Sequence, residues 1–255
     1  MELFHRYGLW GGMRLAHVMF AVMWMGLLWF FNFVQTPAYA EMEPSARNNA
    51  FDKLTWLALW WFRFAAMFTV ASGVLILLFG GFGTSDPYSS AYWKSPPGAG
   101  LACAILFAAI MLYNVLGVIW PNQQIVIGNA RNVQAGGGPD PKAPVAARAG
   151  AMASRQNTIF SFTVFLFMVG SDHFFNDASH FKSAPLNAPA AGVRVLFYIV
   201  LLAIAVGMEM NALGKIGGTA AGGTNVIYDT HQYAIYTAAG LMVFFYLFFE
   251  AFLRA

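Results

Sequence analysis

Six stretches of roughly twenty mostly apolar residues dominate this chain. Each is long enough to cross a hydrocarbon core of ~30 Å as a helix rising 1.5 Å per residue. They run over about 13–34, 57–79, 100–120, 158–176, 193–213 and 232–252. The fold they predict is all-α: a polytopic membrane helical bundle of about six transmembrane helices, with residues 1–255 forming a single integral membrane domain. Composition agrees. Residues are 59% hydrophobic and only 10% charged, where a soluble domain carries about a quarter charged residues.

The net charge of +3 is scattered among the connections. No Lys/Arg block points to nucleic acid or to a polybasic lipid-binding tail, so the partner read from charge is the lipid bilayer alone. The single cysteine, Cys103, lies inside an apolar run, which leaves no disulfide framework and no cysteine metal site within one chain. The A-x-A pattern in "TPAYAEM" follows a stretch too long and too aromatic for a signal peptide, so it reads as part of a retained first span.

Pro37, the Gly80-Gly81 pair, Pro121 and "GKIGGTAAGGT" are expected to punctuate the span ends. Trp56, Trp60, Tyr92, Trp93, Trp120 and Tyr228 cluster there as an interfacial belt would. The third connection opens with "PNQQIVIGNARNVQ" and loops through "AGGGPDP". It then restarts as an Ala-rich segment predicted to be helical and continuous with span four, projecting beyond the bilayer. The side of the first, third and fifth connections carries Arg47, Lys53, Arg131, Lys142, Arg148, Arg155 and Lys215. The other side carries Arg6, Arg14, Lys94, Lys182, Arg194 and Arg254. That small majority places both termini on the periplasmic side of a bacterial inner membrane.

Ionisable groups in a span are costly and default to functional hypotheses. Six spans return them in two layers. Arg14, His17, Asp172 and His173 lie on the terminal side, with Asp177 and His180 in the adjoining loop. Arg155, Asn157, Glu209, Lys215, Asp229 and His231 lie on the opposite side. His17 on span one and His173 on the returning span four stand at similar depth on antiparallel helices, as bis-His haem ligation requires. Asp172 or a backbone carbonyl would hold the far ring nitrogen, and Arg14 would pair with a propionate. The alternative is that both histidines are interfacial and bonded to headgroups. His180 reads as a solvated loop residue, and His231 as a structural partner of Asp229 or Glu209. No nucleophile elbow, P-loop, dinucleotide fingerprint or HExxH motif occurs, so any chemistry would come from a bound cofactor.

Four segments carry a resemblance: "HVMFAVMWMGLLWFFNFVQTPAYAEM", "LWWFRFAAMFTVASGVLIL", "IWPNQQIVIGNARNV" and "ASRQNTIFSFTVFLFMVGSDHF". Together they resemble the membrane domain of PuuD-type urate hydroxylases, the urate oxidase N-terminal family. The opening "HVMFAVMWMG" is also similar to the first span of HemJ-type protoporphyrinogen oxidases. The matching residues are His17, Trp24, Gly26 and Asn32, then Trp61, Phe62, Arg63, Ser72 and Gly73, then Arg155, Asn157 and His173. The resemblance implies a haem b ligated by His17 and His173, with Trp24, Arg63 and Asn157 joining Arg14 of the terminal layer as further cofactor-binding residues. It also implies electron exit to a cytochrome c. The family usually carries a His and a Glu where Trp60 and Ala65 stand, and a Gly-rich segment where "EPSARNNAFDKLTWLA" stands. No CxxCH occurs, so the cytochrome c would be a separate protein.

Three functions compete. The first is a haem b electron-transfer protein, alone, as an oligomer, or as a subunit of a respiratory or photosynthetic complex. The second is an enzyme oxidising urate or another small molecule through a separate cytochrome c. The third is a cofactor-free structural or assembly subunit.

Overall fold

The apolar runs fold as helices, and no strand occurs among the described residues. The computed structural model describes residues 6–80, 88–171 and 188–254. α1 (Arg6–Trp29) leads through a π-helical segment, Phe30–Gln35, into α2 (Thr36–Glu41). α3 (Pro44–Ala50) leads through a second, Phe51–Thr55, into α4 (Trp56–Gly80). After the short α5 (Ser90–Lys94), α6 (Pro96–Tyr113) leads through a third, Asn114–Ile119, into α7 (Trp120–Gln134). α8 (Ala143–Gly170), α9 (Ala191–Ala212), a 3₁₀ segment (Gly223–Tyr228) and α10 (His231–Phe249) complete the chain, which closes in a fourth π-helical segment, Glu250–Arg254.

Pro37 and Pro121 do not end their helices, contrary to expectation. Each sits in the first turn of a continuing helix, directly after a π-helical segment. The Thr36 N–H reaches back to Phe31 O and the Trp120 N–H to Val115 O, each five residues back. The widened turn makes room for a ring that would otherwise strike the carbonyl four residues before it. The helix therefore runs on. Gly8–Glu41, Pro44–Phe79 and Pro96–Gln134 are continuous rods of 34, 36 and 39 residues, roughly 50–60 Å long and well beyond the bilayer core.

Five helices among the described residues are long and apolar enough to cross a membrane: those three, Ala191–Ala212 and His231–Leu253. The protein is an all-α integral membrane bundle. The expected sixth span is carried by α8, whose Ala-rich first half is helical and projects as the sequence predicts. Only its second half is apolar, and residues 172–176 of the expected run lie outside the described residues.

α8 is the axis of the bundle, packing against α6, α7 and α10. Small residues, Ala146, Gly150 and Ala153, let neighbouring backbones approach its first half. Its second half enters an aromatic core in which Phe107 meets Phe160 at 4.6 Å and Phe167 meets Phe245 and Phe249 at 5.9 Å. Cys103 is buried in the same core. α1 and α4 form a second packed pair. Their outer faces, among them Leu15, Val18, Val22 and Leu57, are exposed apolar surface suited to lipid.

Tyr228 departs from its expected place in an interfacial belt. It is fully buried, with its hydroxyl within reach of two acceptors, Gln156 Oε1 and the Met208 carbonyl, to one of which it donates. A buried phenol needs such a partner, and the 3₁₀ segment delivers it into the bundle.

Candidate functional site

His17 lies on the face of α1 that meets α4, about three turns in from its start. Its Nδ1 stands 2.8 Å from the Thr69 carbonyl and 3.3 Å from Ser72 Oγ. A carbonyl only accepts, so Nδ1 carries the ring proton, and the neutral imidazole presents its lone pair at Nε2. Ser72 Oγ in turn donates to Phe68 O or Thr69 O. Opposite the ring is Gly73, where a Cβ would come within 3.1 Å of His17 Cε1. The Thr69–Ser72–Gly73 turn thus fixes the tautomer, and the glycine clears room for the ring. A backbone carbonyl on the non-ligating nitrogen is the usual device for orienting a metal-binding histidine.

The other residues proposed to surround a cofactor do not all gather there. Arg14 is exposed one turn away, its guanidinium 4.8 Å from the centre of the Trp10 ring. Trp24 lies two turns further along the same face of α1, fully buried, with its Nε1–H unpartnered. Arg63 is six residues before Thr69 on α4, roughly 9 Å along the axis. Its guanidinium lies 3.9 Å from the Trp120 ring centre and its Nε has no partner. Asn157 is bound into a separate network on α8. The structure therefore separates Arg63 and Asn157 from His17. The sequence motifs align them by family, but the antiparallel α1–α4 pair sets them at different depths. His173, with Asp172, Asp177 and His180, lies outside the described residues.

A second polar region occupies the opposite side. Asn114 Nδ2 donates to Asn157 Oδ1 and to Glu209 Oε2, both at 3.0 Å, and Asn157 Nδ2 donates to the Met111 carbonyl at 2.9 Å. Arg155 donates to the Tyr228 carbonyl, and Arg148 pairs with Asp229 at 2.7 Å. Burial alone would push the Asp229 carboxyl up. The Gly222 N–H and the Arg148 guanidinium outweigh it and hold that carboxyl below its ordinary range. His231 pairs with neither Asp229 nor Glu209 as expected: the first is taken by Arg148 and Gly222, the second by Asn114. It stands instead at the first position of α10, after the Thr230 cap.

Beside this region the π-helical segments of α1, α4 and α6 open a cavity of about 530 Å³, within the range of small-molecule sites. Phe31, Leu59 and Phe62 give it an apolar floor, while Asn32, Gln35, Arg47, Asn48, Gln123 and Arg155 bring amides and guanidinium groups to its wall. Tyr39, Thr55 and Gln35 form a hydrogen-bonded chain that leaves the Gln35 amide nitrogen unspent. Gln123 Oε1 is buried without a partner. Sequence reading missed this cavity. Most of its residues come from segments taken as connections, above all "EPSARNNAFDKLTWLA", whose helical form turns Arg47 and Asn48 inward. The available signal was Asn32 and Gln35, two amides on one face near the end of an apolar run.

With this geometry in place, comparison with known families is decisive for one stretch. Residues 87–184 match the family model described as urate oxidase N-terminal. Over that segment the chain is similar to the urate oxidase N-terminal family. It contains α5 to α8, and so carries one wall of the cavity, the Asn114–Asn157 pair and His173. His17, on α1, and Glu209, on α9, lie outside the match. No curated protein and no solved structure matches the chain.

Proposed function

We propose that this chain is a membrane redox subunit related to the urate hydroxylase membrane domain, holding a haem b on its terminal side through Nε2 of His17. The supporting observation is the His17 imidazole, whose Nδ1–H is spent on Thr69 O and whose ring packs closely over Gly73, where a Cβ would stand 3.1 Å from Cε1. His173 would be the second ligand, and Arg14 the propionate partner. Bound there, haem b would supply one-electron chemistry. Thr69 and Ser72 orient the ring, and the Thr69 carbonyl strengthens Nε2 as a donor by polarising the Nδ1–H bond. The partner for electron exit would be a cytochrome c or a larger respiratory or photosynthetic complex, at the periplasmic face of a bacterial inner membrane. Pyridine haemochrome assay of the purified protein tests this reading. About one haem b per chain, lost in His17→Ala, is the expected result, and haem-free protein refutes it.

The cavity favours a second reading, an oxidase acting on a small polar heterocycle such as urate through a separate cytochrome c. Amide and guanidinium groups over an aromatic floor provide the fixed donors and acceptors that such a substrate needs. Urate consumption by membranes supplied with a cytochrome c acceptor, reduced at least tenfold in Gln35→Leu, is the expected outcome. Equal consumption by the variant would place the substrate elsewhere.

A further inference from the structure

Glu209 sits in the last turn of α9, and its carboxyl meets Asn114 in the π-helical segment of α6. Both side chains are buried, with Asn114 at 0% and Glu209 at 9% exposure. The hydrogen bonds around them do not close. Asn114 spends both amide protons, one on Asn157 Oδ1 and one on Glu209 Oε2. Two buried acceptors remain without a donor, Glu209 Oε1 and Asn114 Oδ1. They belong to the same two side chains that the Nδ2–Oε2 hydrogen bond already joins.

One proton closes both gaps. A carboxylic acid and a primary amide pair in a ring when the amide N–H donates to the acid carbonyl and the acid O–H donates to the amide oxygen. Half of that ring is present, and the missing half is a hydrogen on Oε1 directed at Oδ1. We propose that Glu209 and Asn114 form a proton-binding site inside the membrane, in which Glu209 is a neutral acid donating to Asn114 Oδ1. The inference stands apart from any haem at His17 and from any substrate in the cavity.

The surroundings agree. Among the described residues no Lys, Arg or His forms an ion pair with Glu209. From α8 come two neutral amides: Asn157, which shares the Asn114 amide with Glu209, and Gln156, which is joined to Tyr228. Arg155 is turned to the Tyr228 carbonyl, and Arg148 is bound to Asp229. From the 3₁₀ segment, Tyr228 gives its hydroxyl hydrogen to Gln156 Oε1 or to the Met208 carbonyl. The start of α9, where Arg194 lies, and the closing π-helical segment with Glu250 belong to the other end of the bundle. A carboxylate at this position would lack both a cation and a second donor, and an acid needs neither. Such a group can release its proton when another charge in the bundle changes, the role that intramembrane carboxyls play in proton relays.

One rival exists on the same atoms. Gln156 Nε2 is a buried donor without an acceptor, and a water accepting from it could donate to Oε1 and Oδ1 with Glu209 ionised. Infrared spectra of the full chain in lipid nanodiscs separate the two. The proposal expects, at pH 7, the C=O band of a protonated carboxylic acid that moves down in D₂O and moves again on ¹³C-glutamate labelling. It should vanish in Glu209→Gln and move up in Asn114→Ala, which removes the hydrogen bond to the acid carbonyl. Glu209→Gln copies the neutral acid, so its melting temperature should match the parent's at pH 6 and at pH 8. Absence of the band at pH 7 overturns the proposal, as does a band that both variants leave unchanged. Should Glu209→Gln fail to fold, the labelled parent and Asn114→Ala still decide.

Discussion

The two polar regions of this bundle are built in opposite ways. Around His17 a single imidazole lies between two apolar helices, and its order comes from one backbone carbonyl, one hydroxyl and the absence of a Cβ at position 73. On the far side, side chains bind one another in a dense network, and three π-helical segments widen the bundle into a cavity. The first arrangement leaves one strong donor atom, Nε2, uncommitted, as a ligand to a group from outside the chain must be. The second consumes most of its donors internally, and what it leaves over is the amide wall of the cavity and the unclosed Asn114–Glu209 pair. On the proposed reading, ligation and recognition would divide between opposite ends of one helix. His17 and Asn32 are fifteen residues apart on α1 and its continuation, roughly 22 Å along the axis.

The largest stability effect should come from the network. Asn157→Leu strips the acceptor from one Asn114 proton and the donor from the Met111 carbonyl, and should cost about 1–3 kcal/mol, as removing one partner of a buried hydrogen bond does. Thermal unfolding followed by circular dichroism checks this. An unchanged midpoint would mean that the network is not the tightly coupled region described. Gly73→Ala should cost less, about 1 kcal/mol of overpacking, because the imidazole must give way by only a few tenths of an ångström. Its effect should fall on the histidine layer, as weaker haem retention with the cavity's ligand affinity unaltered. If Gly73→Ala changed both regions equally, their separation would fail.

The smallest effect belongs to the rim of the network. The Asp229 carboxyl is held below its ordinary range in the folded protein. Its contribution to stability is therefore present above its unfolded value of about 3.9 and is lost as pH falls below that toward the folded value. A melting curve measured between about pH 6 and pH 3 should drop at the acid end. The drop should be shallower in Asp229→Asn, and identical slopes would remove the Arg148–Asp229 pair from the account.

Long apolar runs make the helices and their membrane setting readable from sequence, and the layer principle correctly groups Asn157 with Glu209 and His17 with Arg14. The π-helical segments are not readable in this way. Pro37 and Pro121 look like stops, and only a widened turn, set by packing, converts them into first-turn residues of helices that continue. The cavity is missed for the same reason, since its walls are those continuations. The role of Gly73 is half legible: the resemblance singles the position out, but that the atom it admits is His17 Cε1 depends on the register of α1 against α4. Tyr228 reads as a membrane-interface residue because aromatic residues near span ends usually are. Its burial follows from a 3₁₀ segment that turns back into the bundle.

The central claim is that His17 presents Nε2 to a haem iron. A reduced-minus-oxidised absorption spectrum of the purified protein, recorded beside His17→Ala and Gly73→Ala, tests it most directly. The account predicts a low-spin b-type spectrum in the parent, its loss in His17→Ala, and a weakened or shifted spectrum in Gly73→Ala with the protein still folded. A parent without a Soret band, or a spectrum that survives in His17→Ala, contradicts it.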